Sequence, residues 1–222
     1  QGVLLEACQF QNPGGWVLDT QFYQQMGGSY LLAHGMGKPV KNAVTRIKLP
    51  KNGNWNIHVR TKDWCPGDWE APGQFKILIN GKALQPTFGT IAGWTWQAGG
   101  AVKLNSGTVK VELQDLTGFE GRIDAIYFTQ EIAPSLPVKS QEIIAWKDQL
   151  SGRTKLTVQE ETFDLVIVGG GMTGCAAALA ADKQGLKVAL IQDRPLFGGN
   201  ASSEVRVHTL GIKGKNPEII NK

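Results

Sequence analysis

From residue 3 to about residue 128 the chain alternates short apolar stretches with turn signals. Runs at 3–7, 43–49, 55–61, 75–79, 108–113 and 122–128 are enriched in β-branched and aromatic residues. Within the third run, Trp55-Asn56-Ile57-His58-Val59-Arg60 alternates apolar and polar positions, the period of a strand with one buried face. Asn52-Gly53 and Asn80-Gly81 are pairs that accept the positive φ of tight hairpin turns. No helical period interrupts the series, so the pattern predicts an all-β sandwich.

The pattern changes after residue 131. Ile132-Ala133-Pro134-Ser135-Leu136-Pro137 ends strand pairing, because proline supplies no ladder donor. Residues 141–150 read as a helix with Ser140 as N-cap and Gly152 as its stop. Ile143, Ile144, Trp146 and Leu150 would be its apolar stripe. Phe163-Asp164-Leu165-Val166-Ile167-Val168 is a near-continuous apolar run, the pattern of a parallel strand buried on both faces. It leads into Gly169-Gly170-Gly171-Met172-Thr173-Gly174, a helix starting near Met172 and rich in alanine, Gly185 as stop, and a second apolar strand at 186–191. The predicted organisation is multidomain: an all-β sandwich over 1–131, a linker with a short helix over 132–162, and a partial α/β Rossmann-like segment, one βαβ unit, over 163–222.

Composition supports this division. At 41% hydrophobic and 19% charged, the chain can bury a core. All seven tryptophans lie at or before Trp146, whereas the alanine run and the densest glycine cluster lie after residue 163. The formal net charge of +4 is spread evenly and makes no basic patch for nucleic acid. No apolar run approaches the ~18 residues of a membrane span. Three cysteines (Cys8, Cys65 and Cys175) are too few and too dispersed for a disulfide framework or a zinc site. The chain opens on Gln1 and ends at Lys222, short of the further strands a dinucleotide fold contains. It therefore reads as the trimmed N-terminal fragment of a longer protein.

The glycines carry the clearest chemistry. A G-x-G-x-x-G run between a buried strand and an alanine-rich helix is a dinucleotide fingerprint. Gly169 permits the tight turn, Gly171 lets backbone approach a pyrophosphate, and Gly174, with small Ala178, keeps the helix close to the strands. The pyrophosphate is expected at the helix N-terminus, where free N–H groups and the dipole favour negative charge. Cys175 reads as a small packing residue.

In the first unit, Trp64, Trp69, Trp94 and Trp96 fall in turn-rich segments. Their faces, beside Asp and Asn side chains, have the chemistry to stack on a sugar; the alternative is that they bury themselves at the ends of the sandwich. His34 and His58 have no partner at metal-ligand spacing.

Two resemblances sharpen these expectations. Leu5-Glu6-Ala7 followed by Gly14-Gly15-Trp16-Val17-Leu18-Asp19 resembles the opening of carbohydrate-binding-like β-sandwich modules of the xanthan lyase and golvesin type. The stretch Leu113-Gln114-Asp115-Leu116-Thr117-Gly118-Phe119-Glu120-Gly121-Arg122-Ile123-Asp124-Ala125-Ile126 resembles their closing strands. This resemblance implies a glycan or carbohydrate-related partner, a structural calcium (Ca2+) held by Glu6 and Asp124, and a secreted or periplasmic location.

The stretch Asp193-Arg194-Pro195-Leu196-Phe197-Gly198-Gly199-Asn200-Ala201-Ser202-Ser203-Glu204 resembles the second glycine motif of FAD-dependent oxidoreductases. The run from Asp164 to Val207 is similar to large bacterial flavoproteins that carry a β-sandwich module. That resemblance implies FAD, contacted by Gly169, Gly171, Met172, Thr173, Gly174, Gln192, Asp193, Arg194, Gly198, Gly199 and Asn200. Gln192 then stands where an acid commonly accepts from the adenosine ribose, a bond its amide can also make. The chain would be the N-terminal portion of an oxidoreductase that transfers hydride from a carbohydrate-related substrate. The alternative is a carbohydrate-binding or structural module with a vestigial flavin segment. Catalytic residues would lie mostly past Lys222, with Glu204, Arg206 and His208 the nearest titratable candidates. Binding at micromolar affinity needs about −8 kcal/mol. Without walls around the adenine and isoalloxazine rings, this chain is expected to bind FAD weakly or not at all.

Overall fold

The computed structural model describes residues 2–155, 157, 159–194, 196–202, 205 and 207. Glu204, Arg206 and His208 lie outside the described residues. The chain forms two units, Gln1–Leu156 and Thr157–Lys222.

The first unit is a sandwich of two antiparallel sheets. In chain order its strands are β1 (Val3–Glu6), β2 (Trp16–Asp19), β3 (Tyr30–His34), β4 (Ala43–Leu49), β5 (Gly53–Lys62), β6 (Phe75–Ile79), β7 (Lys82–Ala83), β8 (Thr95–Leu104), β9 (Gly107–Asp115) and β10 (Phe119–Thr129). The six-stranded sheet runs β2-β3-β10-β5-β8, with β1 also paired to β10, and the four-stranded sheet runs β4-β9-β6-β7. The long strand β10 pairs with β3 through its first half and with β1 through its second. Between the sheets lies a core that includes Trp16, Leu31, Trp55, Ile57, Phe75 and Val111, each no more than 2% exposed. Burying side chains of this size contributes roughly 1.5–3 kcal/mol each, which is what holds the sheets together.

The other face of the six-stranded sheet is also covered. Tyr30 and Leu32 of β3, with Met26, form a second small core against Phe22 and Trp94, while Leu31 and Ala33 point into the first. Met26 ends a one-turn helix, α1 (Tyr23–Met26), closed by Gly27 at φ +67°. This turn interrupts a series in which no helix was expected. It is too short to show a helical period.

Asn80-Gly81 forms the predicted hairpin between β6 and β7, with φ of +51° and +81° at the two residues. Asn52-Gly53 does not form a hairpin, because it carries the chain from β4 in one sheet to β5 in the other. Trp96 lies within β8 rather than in a turn.

Helix α2 (Ser140–Ser151) begins with Lys139 at the cap position and no side-chain cap, so Ser140 is its first residue and not its N-cap. Gly152 ends it at φ +75°. Its buried residues are Ile143 and Lys147, while Ile144, Trp146 and Leu150 are half-buried.

The second unit contains β11 (Leu165–Val168), α3 (Met172–Lys183) and β12 (Val188–Ile191), with β11 and β12 paired in parallel. The connection through α3 is the βαβ crossover that parallel strands require. Two strands and one helix do not cover a sheet: Leu165, Val166 and Val168 are 38%, 49% and 81% exposed. The expectation of a strand buried on both faces is corrected among the described residues.

Candidate functional site

The turn between β11 and α3 is built by three glycines with different constraints. Gly169 has φ +105°, a conformation from which side chains are largely excluded. Gly171 precedes α3 in extended conformation, and a Cβ there would meet no atom of the described residues within 4 Å. That side of the turn is a cradle into which a ligand can come against bare backbone. A Cβ on Gly174 would lie 1.9 Å from the Gly169 carbonyl oxygen. Only glycine lets the helix pass so close to the turn. The cap residue of α3 makes no side-chain bond to the helix. The first N–H groups of a helix have no acceptor within it, so these donors and the positive end of the dipole face the cradle.

A second glycine loop closes on the first. The Gly198 N–H donates to the Gly170 carbonyl at 2.8 Å, and Gly171 and Gly198 form an isolated parallel bridge. Gly198 and Gly199 both have positive φ, +105° and +55°, and a short 3-10 turn, Gly199–Ala201, follows and includes Asn200. Gln192, just past β12, accepts from the Gly170 N–H at 2.8 Å and donates to the Leu196 carbonyl at 3.2 Å. Its amide links the two glycine loops. This bracing role differs from the ribose contact that the resemblance implies for Gln192. Cys175 adds a thiol contact to the Gly170 carbonyl at 3.3 Å. Met172 and Thr173 are exposed on the first turn of α3, and Asp193 and Arg194 are exposed beyond β12.

The four tryptophans of the sandwich are placed differently from one another. Trp64 donates its indole N–H to the Phe119 carbonyl at 2.8 Å and lies under the Arg122 guanidinium. Trp94 packs edge-on against Phe22 and Tyr30 in the second core. Trp96 donates to the Pro137 carbonyl at 2.8 Å and meets Trp146 of α2 edge-on. Trp69 is 61% exposed, with its N–H bound to the Cys65 carbonyl at 2.9 Å. Three of the four thus have packing partners inside the unit, and Trp69 presents most of its surface to solvent.

Glu6 and Asp124 do come together, on a cation of the protein itself. The Lys147 ammonium lies 2.6 Å from Asp124 Oδ1 and 3.5 Å from Glu6 Oε2. Asp124 Oδ2 accepts from Arg60 at 2.7 Å, and Glu6 Oε1 accepts from Arg153 at 2.8 Å. Calcium requires six to eight oxygen ligands at about 2.3–2.6 Å, and all four carboxylate oxygens here already face basic nitrogens. The residues do not fit the ion, and the calcium expectation is corrected. Among the described residues no group of three or more His, Cys, Asp and Glu side chains is arranged for a metal. Lys147 was legible in principle, since Ile143, Lys147 and Leu150 share one helical face on which a lysine is out of place.

Residues 164–222 match the FAD dependent oxidoreductase family. Over 74 residues, a third of this chain, the sequence is 35% identical to glycerol-3-phosphate dehydrogenase 2 of Mycobacterium bovis. Over 53 residues, 24% of the chain, it is 42% identical to glycerol-3-phosphate dehydrogenase of Mycobacterium leprae. The matched segments span 11% and 9% of those two relatives. The structure overlaps a family 35 carbohydrate binding module from Clostridium thermocellum with a TM-score of 0.46 and 17% identity, over 59% of this chain and 99% of that one. Among the described residues no helix is long and apolar enough to cross a membrane.

Proposed function

We propose that the second unit holds the pyrophosphate and adenosine half of FAD, as the nucleotide-binding start of an FAD-dependent oxidoreductase. The glycine cradle carries this reading. Gly171 leaves open space before the first N–H groups of α3, and Gly198 and Gly199 close on it from the side. Gly169, Gly171, Met172, Thr173 and Gly174 would line the phosphates from the first loop. Asp193, Arg194, Gly198, Gly199 and Asn200 would line the adenosine side, with Gln192 bracing the two loops. FAD when bound would accept hydride from a substrate. The matched relatives are named for glycerol 3-phosphate; for the full protein we propose a polyol or sugar-derived alcohol. In the sandwich, a glycan contact is best supported at Trp69, because Trp64, Trp94 and Trp96 already pack internally.

Equilibrium dialysis of the chain against FAD, ADP and riboflavin tests the cofactor reading. Binding of FAD should be weak, measured at a protein concentration of about 1 mM because a millimolar Kd corresponds to only about −4 kcal/mol; it should be competed by ADP but not by riboflavin, and Gly171→Val should abolish it. Competition by riboflavin equal to that of ADP, or retention unchanged in Gly171→Val, would overturn it.

A further inference from the structure

We propose that Lys147 replaces, within the chain itself, the structural divalent cation expected at Glu6 and Asp124, so that the sandwich closes without metal and only when α2 is docked. Three oxygens from separate elements converge on the one ammonium. They are Asp124 Oδ1 from β10 at 2.6 Å, the Met26 carbonyl at the end of α1 at 3.1 Å, and Glu6 Oε2 from β1 at 3.5 Å. Two carboxylates and a carbonyl are a cation-ligand set, and here a nitrogen cation fills it. The site is sealed: Lys147 is 1% exposed, Asp124 0% and Glu6 4%.

The surrounding charges balance. Asp124 faces Lys147 and Arg60, Glu6 faces Lys147 and Arg153, and Arg153 is held in turn by Asp148 at 2.6 Å. Three acids and three bases form one connected network. The hydrogen bond that Arg153 donates to Glu6 raises the pKa of its guanidinium above the ordinary value against partial burial, with Asp148 adding to the rise. A metal ion entering this site would have to displace the ammonium and compete with both guanidinium groups. Conversely, undocking α2 would take the Lys147 ammonium from both Asp124 and Glu6, and breaking a buried ion pair is strongly destabilising. The helix is therefore a structural component of the sandwich, fixed by one side chain that reaches the first strand, the last strand and α1.

Thermal unfolding of the full chain, followed by tryptophan fluorescence, tests this directly, because every tryptophan precedes residue 157 and reports the first unit alone. The wild-type Tm should move by less than about 1 °C with millimolar calcium chloride or with EDTA. Lys147→Met, which keeps most of the side-chain length and removes the charge, should lower Tm by about 10 °C, the size expected for a broken buried ion pair in a unit of this size. Lys147→Ala should be rescued by propylammonium, the portion of the side chain removed. The amine should raise its Tm or, if the variant is unfolded, restore the native emission spectrum, and it should leave wild type unchanged. A wild type stabilised by calcium or destabilised by EDTA would overturn the proposal. So would Lys147→Met at wild-type Tm, or Lys147→Ala indifferent to propylammonium.

Discussion

Replacing Gly174 by alanine isolates the geometric claim on which the flavin reading rests. The added methyl would sit 1.9 Å from the Gly169 carbonyl oxygen, whereas ordinary contact begins at 3.4 Å. The start of α3 must therefore move away from the turn by about 1.5 Å, at an overpacking cost of roughly 1–3 kcal/mol. Hydrogen bonds to a phosphate tolerate far less, since useful N···O distances span about 2.7–3.2 Å. Losing one charge-assisted bond costs about 1.5–3 kcal/mol, which converts to a roughly 10- to 100-fold weaker complex. The assay is FAD retention by dialysis in wild type and Gly174→Ala, with tryptophan-detected urea unfolding as the internal control. That unfolding curve should not change, because the substitution lies outside the unit that contains the tryptophans. FAD affinity within about twofold of wild type would refute the reasoning, since the helix N-terminus would then not be what holds the nucleotide.

Other expectations follow from single features of the sandwich. Burial lowers the pKa of His58 below its ordinary 6.5, and its Nε2 has no partner among the described residues. Unfolding frees the ring to take up a proton near pH 6.5, so this contribution to stability is full above that pH and is lost as the pH falls below it. The urea midpoint should drop between pH 7.5 and pH 5.5, and drop less in His58→Gln. Gly81 has φ +81° with open space at its Cβ position, so Gly81→Ala should cost about 1–2 kcal/mol from backbone conformation alone, measured by denaturant unfolding. Trp96→Ala removes the bond to Pro137 and the contact with Trp146, and should cost roughly 3 kcal/mol, the low end for a tryptophan because the ring is half-buried. Trp69→Ala should stay within about 0.5 kcal/mol of wild type in the same assay, because the ring is mostly exposed.

The features legible in the sequence were those whose causes are local. The turn from β11 into α3 is dictated within a few residues, by glycines where φ is positive or the helix passes close, and it was readable as a dinucleotide fingerprint. The Asn80-Gly81 hairpin was legible for the same reason. Asn52-Gly53 shows the limit, because a pair that tolerates positive φ does not specify which strands it joins. Strand β3 was missed because Tyr30, Leu31, Leu32 and Ala33 are all buried, half against each core, which erases the period of two. Strand β8 was missed because Gly99 and Gly100 interrupt its apolar pattern, whereas the ladder with β5 continues past them through a register shift between Ile57 and His58. The partners of Glu6 and Asp124 depend on distant chain segments. Lys147 lies 23 residues from Asp124, and Arg153 lies 147 from Glu6. Separations of that length leave no pattern in a local window, and only the misplaced lysine on the apolar face of α2 hinted at them.

The pairing of β1 with β10 has a consequence for how such a unit can be moved between proteins. Val3 stands opposite Phe128 in an antiparallel ladder, so the chain enters and leaves the two sheets about one strand spacing apart, roughly 4.8 Å. The strands alone would thus make a cassette with its two ends side by side, one that could enter a junction without pushing the flanking sequences apart. The cut cannot be made at Thr129, where the last strand stops. Glu6 and Asp124 would then travel without Lys147 and Arg153, so the portable piece extends through residue 153, and its border is set by charge rather than by the edge of a sheet.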